Sequence, residues 1–182
     1  MGNLQPLLAE APRARVVTTF LGLGKMNLAG LGVDRFHLLN PGQSLDVGDR
    51  RLSAFQPAVF DAPETTCVFD DRTGALFSAD WFGALLPQPA ETAADVPAEE
   101  LRGGQLLWAT VDAPWLSLVR EGDFRGRAAP VLELGPQLVL GAHLPPASGL
   151  LDAMMANILA ALTAPAFVGP DQAAVEQAAA RG

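Results

Sequence analysis

Two side chains stand where a chain often carries chemistry. Asp80 follows the apolar run Ala75 to Ser78 (ALFS) and is closed in by Trp81, Phe82 and Gly83. Its carboxylate is therefore expected where a strand end meets solvent, on a loop held by a rigid scaffold. His143 follows a second apolar run, Leu138 to Ala142, and Leu144-Pro145-Pro146 turns the chain immediately after it. A carboxylate and an imidazole at strand ends are the donor types that a borderline metal ion takes. A further carboxylate, Asp61, precedes Asp80 by 19 positions (80 − 61) and could form a paired-carboxylate site with it.

The remaining reactive types read as structural. Cys67 is the only cysteine and sits in TTCVF with no cation nearby, so an inert core thiol and a reducing, cytoplasmic compartment are expected. His37 lies in FHLL with no acidic or histidine partner at ligand spacing. Gly22, Gly24 and Lys25 open like a phosphate cradle. Neither GxGxxG nor GxxxxGK[ST] is completed, because Asn27 stands where a third glycine would be, so Leu21 to Gly32 reads as a helix-containing connector.

The elements that must position Asp80 are two β-type runs, Thr66 to Phe69 and Ala75 to Ser78, joined by Asp70-Asp71-Arg72-Thr73-Gly74, which is hairpin turn chemistry. Phe36 to Leu39 and Arg51 to Phe55 also read as strands, which makes Phe36 to Ser78 an expected antiparallel meander. Upstream, Leu4, Leu7 and Leu8 suggest a short helix and Arg15 to Thr19 a strand. Pro87 to Gly104 reads as an exposed loop with at most one helical turn, a candidate lid. Leu106 to Arg120 has near-helical apolar spacing with a kink at Pro114, and its Trp108 and Trp115 are expected in the core or in a pocket wall. Phe124 to Leu134 is amphipathic and interrupted by Pro130. Ser148 is a candidate N-cap for a helix from Leu150 to Leu162, and Pro170-Asp171 opens a last helix, Gln172 to Ala180. Helix and strand alternate in the manner of α/β layering.

Leu76-Phe77-Ser78-Ala79-Asp80-Trp81-Phe82-Gly83 resembles the LFSxDxFG signature of the metallo-β-lactamase-fold domains of flavodiiron proteins and their oxygen-binding di-iron relatives. Gly48-Asp49-Arg50-Arg51-Leu52 is similar to that family's "GD..L" strand pair, and Pro63-Glu64-Thr65 with Phe69-Asp70 to its "P-[DE]-[ST]...[YF]D" step. The resemblance implies an α/β (α+β) fold, a partial metallo-β-lactamase-like αββα sandwich represented mainly by its C-terminal part. It implies that Asp80 bridges two metal ions, iron or zinc, and that His143, 63 positions later (143 − 80), is the last metal-binding histidine. The sequence departs from the family twice. Asp61 in Phe60-Asp61-Ala62-Pro63 stands where the family has a histidine, and the HxExDH motif that supplies most ligands of the first metal would lie just before Met1-Gly2-Asn3-Leu4.

Asp80 and His143 with Asp61 make a two-carboxylate, one-histidine set with open positions, suited weakly to iron, manganese or zinc. A bridging carboxylate works only if each ion also has its own terminal ligands. Three functions follow as expectations. The chain is the C-terminal part of an oxygen-binding di-iron-like protein, a single domain over residues 1–182 that is incomplete at its N-terminal side. Alternatively it is a degenerate structural or binding module, or a zinc-dependent hydrolase of the wider superfamily. Oxygen or a small molecule is the expected substrate if the site is active, and an apolar face without its partner sheet would favour a homo-oligomer.

Charge excludes other classes. With 20 Asp and Glu against 12 Lys and Arg the formal charge is −8, and no basic cluster exists to neutralise phosphates. Nucleic-acid and anionic-membrane binding are not expected. The first residues lack a signal-peptide pattern, and Ala153 to Gly169, though uncharged, is short for a span and interrupted by Pro165, so a buried helix is expected there.

Overall fold

The computed structural model describes residues 3–181. The features read at Met1, Gly2 and Gly182 lie outside them. Strands β1 (Val16–Thr18) and β2 (Phe36–Leu38) pair in parallel as a two-stranded sheet, and α2 (Phe20–Leu28) is their crossover. Parallel neighbours need such a connection. The Gly-rich connector is thus a helix with a purpose, capped by Thr19, whose hydroxyl accepts from the Gly22 N–H at 2.9 Å. Before β1 stands α1 (Leu4–Glu10).

The second sheet has six strands in the order β3 (Ser44–Asp46), β4 (Arg51–Phe55), β5 (Cys67–Asp70), β6 (Ala75–Ala79), β7 (Leu138–Gly141) and β8 (Ala147–Ser148). Every pair is antiparallel except β6–β7. The expected meander is therefore real from β3 to β6, but Phe36 to Leu38 does not belong to it. A three-residue strand fixed by a crossover from β1 is committed to that partner before the turn at Asn40-Pro41-Gly42 releases the chain.

Between β6 and β7 run α3 (Ala98–Asp112), a 3-10 turn at Pro114–Leu118 and α4 (Glu121–Leu132). With α5 (Leu151–Ala161) these helices cover one face of the sheet. Strand alternation selects that face. Cys67, Phe69, Leu76 and Val139 point into a core with Leu101, Ala109, Phe124, Val131, Met154 and Ile158, while Val68 and the exposed Phe77 pair across the opposite face. Each fully buried large apolar side chain contributes about 1.5–3 kcal/mol to folding.

Three local expectations are corrected. Residues 98–104 are not loop but the first turns of α3, whose Glu99 and Glu100 favour a helix N-terminus. The weak helix formers Gly103 and Gly104 hid it, and Gly104 is buried where the Leu85 N–H donates to its carbonyl at 3.1 Å. Pro130 does not interrupt α4, since it falls in the last turn and forgoes a single bond. Ser148 is no N-cap: it pairs with Leu138 in β8, and Gly149 at φ 68° with Leu150 leads into α5. The final helix α6 (Gln172–Ala179) is capped by Asp171, which accepts from the Ala174 N–H at 2.8 Å. No helix of the described residues is long and apolar enough to cross a membrane.

Candidate functional site

Asp80 is presented by an irregular strand end. The β6–β7 register shifts between Phe77 and Ala79, and Ala79 adopts φ 50°, a left-handed conformation that costs a non-glycine residue about 1–2 kcal/mol. The bulge turns Asp80 out of the sheet while Trp81 and Phe82, stacked at 4.8 Å and fully buried, anchor the next two residues. The Asp80 carbonyl accepts from the Gly83 N–H at 3.0 Å and from the Trp108 indole N–H at 3.1 Å. Below it a buried polar ladder fixes the same loop: Asn157 donates to Gln105 at 2.9 Å, and Gln105 donates to the Phe82 carbonyl at 3.1 Å.

His143 is tied to the same loop from β7. Its carbonyl accepts from the Ala84 N–H at 2.9 Å, and the Ala142 N–H donates to the Ala79 carbonyl at 2.9 Å. The two side chains meet, with His143 Nε2 at 3.3 Å from Asp80 Oδ1. Trp108 closes one side, its ring 4.2 Å from the imidazole centroid to centroid. Trp108 is half-buried, packed on His143 and bonded to the Asp80 loop rather than sunk in the core. Gly83 permits it: a Cβ there would lie 2.6 Å from Trp108 Cδ1 and Cε2.

Asp61 is on the same cleft, a space of about 390 Å³ that it lines with Asp80, Lys25, Glu64, Thr18 and Thr65. Its Oδ1 accepts from the Thr65 hydroxyl at 3.2 Å. The three residues singled out by sequence thus converge on one region. Burial raises the Asp80 pKa, the Asp61 charge adds to the rise, and His143 opposes it.

Three site residues escaped the sequence reading. Asp112 is raised to about 6 by burial first and then by the charges of Asp80 and Asp61, with His143 opposing, and its Oδ2 is shielded from solvent without a hydrogen-bond partner among the described residues. It lies four residues after Trp108 on α3, a same-face interval that could have signalled it. Lys25 pairs with Glu64, whose pKa is lowered by that hydrogen bond, and the Lys25 pKa is raised in turn. His37 is in β2, away from this cleft's lining, and Cys67 is fully buried with its thiol pushed up to about 12 by burial.

A dinuclear iron centre needs several donors that converge on each ion. Among the described residues no three His, Cys, Asp or Glu side chains are grouped to hold a metal ion, and Asp80 and His143 face each other instead. The described donor set does not fit a di-iron centre.

No protein-family model matches the sequence, and no curated protein matches it. Solved structures do. The rubredoxin oxygen:oxidoreductase of Desulfovibrio gigas aligns over 90% of this chain with a TM-score of 0.74 at 17% identity. The Flv1 flavodiiron core of Synechocystis sp. PCC6803 aligns over 89% with a TM-score of 0.66 at 21% identity. A fragment of a putative diflavin flavoprotein from Nostoc sp. PCC 7120 aligns over 87% with a TM-score of 0.64 at 18% identity. The chain spans 41%, 40% and 64% of those chains, respectively. At these identities the likeness shows the fold, a mixed α/β core of the kind that flavodiiron proteins carry.

Proposed function

We propose that this chain is related to the oxygen-binding di-iron domains of flavodiiron oxidoreductases, that it carries the acidic and last-histidine side of such a site, and that its described residues do not assemble the metal centre alone. The single observation that supports this is the apposition of Asp80 and His143 at 3.3 Å on adjacent strand ends, beside Asp61, with no group of three metal donors among the described residues. Oxygen or a small molecule is the substrate class of this reading wherever the ligand set is completed. What the chain's own residues do is hold negative charge around the cleft of Asp61, Glu64 and Asp80, with one imidazole set between Asp80 and Trp108.

Elemental analysis of the purified chain beside an Asp80→Ala/His143→Ala variant tests the reading. The expected result is well under about one iron or zinc per chain in both proteins. About two metals per chain, lost in the variant, would overturn it and require ligands that the described geometry does not group. About one zinc, lost in the variant, would instead favour a mononuclear zinc hydrolase.

A further inference from the structure

A second cavity shares no lining residue with the Asp80 cleft and lies between the start of α3 and the first turns of α5. It holds about 580 Å³, and Val96, Pro97, Leu101, Leu150 and Ala153 form its apolar walls. A space of this size suits a small molecule when a few placed polar groups join the apolar wall. Here those groups are Glu99, Arg102 and Asn157. The rim beside them is tied down: the Ala93 N–H donates to the Pro146 carbonyl at 3.0 Å, and the Asp95 carboxylate accepts from the Thr92 N–H at 2.9 Å and its hydroxyl at 2.8 Å.

The polar groups are held from below. Asn157, only 9% exposed, donates to the fully buried Gln105, and its Oδ1 accepts from Arg102 Nη1 at 3.4 Å. The buried ladder that fixes the Asp80 loop at one end therefore meets the Arg102 guanidinium at the other. That group has five N–H donors in a planar fork, of which the ladder uses one, and the fork matches a carboxylate. Glu99 precedes Arg102 by three positions on α3, so both project from one side of the helix. Among the described residues neither takes part in an ion pair, with the other or with any further group. One positive and one negative charge thus front an apolar floor.

We infer that this cavity binds a small zwitterion with an apolar body, the chemistry of a free aliphatic or aromatic α-amino acid. Its carboxylate lies on Arg102, its ammonium on Glu99 and its side chain against Leu101, Leu150 and Ala153. A plain anion is a poorer match, because the first turns of both helices carry acids, Glu99 and Glu100 on α3 and Asp152 on α5, in a chain of formal charge −8. A plain cation meets the Arg102 guanidinium. A ligand without net charge satisfies both ends.

Calorimetry on the whole chain tests this with L-leucine, L-phenylalanine and 4-methylpentanoate, the last being leucine without its amino group. Wild type is expected to bind at least one of the two amino acids with a dissociation constant below about 1 mM. Arg102→Gln should weaken that binding at least about tenfold. Ala153→Phe, which fills the cavity from an exposed helix position, should abolish it. Glu99→Gln should weaken leucine and strengthen 4-methylpentanoate, so that the preference between them reverses. Absence of heat with both amino acids at about 10 mM would overturn the inference. So would binding that survives both Arg102→Gln and Ala153→Phe, or a wild type that prefers 4-methylpentanoate to leucine. Each variant changes an exposed side chain, and its melting curve beside that of wild type shows that the fold is kept.

Discussion

Gly83→Ala is the sharpest probe of how the cleft is built. The added methyl would sit 2.6 Å from Trp108 Cδ1 and Cε2, so the rigid indole must shift by about 1 Å to restore ordinary contact. That shift breaks the indole N–H bond to the Asp80 carbonyl and slides the ring off His143. Overpacking of this kind costs about 1–3 kcal/mol, and the lost hydrogen bond adds about 1 kcal/mol. The sum, about 2–4 kcal/mol, lowers the melting temperature by about 6–12 °C near its midpoint for a chain of this size. Gly103→Ala is the control. It lies one residue before the buried Gly104 in α3, has nothing within 4 Å of its would-be Cβ, and should gain up to about 1 kcal/mol from helix propensity. Thermal melts with tryptophan fluorescence measure both. A Gly83→Ala protein that melts within about 1 °C of wild type, or a Gly103→Ala protein that falls equally far, would refute the account of Trp108 as held against the Asp80 loop by a glycine.

Two further outcomes follow from the ionisation of buried groups. The Asp112 pKa is about 6 in the folded chain against an ordinary 3.8, so the folded state keeps a proton that the unfolded state releases. This group's penalty is absent below about pH 4 and grows as pH rises to about 6. Solvent screening of a partly buried carboxyl reduces the nominal shift to about 1 kcal/mol. Asp112→Asn should therefore melt about 2–4 °C higher than wild type near neutral pH and gain little near pH 4, and an equal gain at both would contradict the assignment. The Cys67 thiol, fully buried and pushed up to about 12, should resist iodoacetamide at pH 8 until the chain is unfolded in denaturant; rapid labelling of the native protein would show that the core is open there.

Much of the framework was legible because it is local. The hairpin of β5 and β6 is announced by its turn residues and by alternation about Cys67 and Phe69, and β7 by an uninterrupted apolar run before His143. Partner choice was not local. A three-residue strand such as β2 carries no mark of whether it continues a meander or pairs back across α2 with β1. The start of α3 was hidden by Gly103-Gly104, where close backbone packing outweighs propensity. In the cleft, Asp61, Asp80 and His143 could be named, yet Asp112, Lys25 and Glu64 become site residues only through the packing of α3 and α2 around the strand ends.

The parallel pairing of β6 with β7 also dictates when the site exists. Asp80 and His143 are 63 positions apart (143 − 80), and the strands that carry them can join only after α3, the 3-10 turn and α4 have been laid across the sheet. Closing a loop of that length carries an entropic cost of about 2 kcal/mol beyond that of a local turn, whereas the β3–β6 hairpins close through short connections. Long-range pairing of this kind is a slow step in folding. The acid and the imidazole are therefore brought together late, and a chain that has formed its meander but not its crossover has Asp80 in place on β6 and no cleft for it to serve.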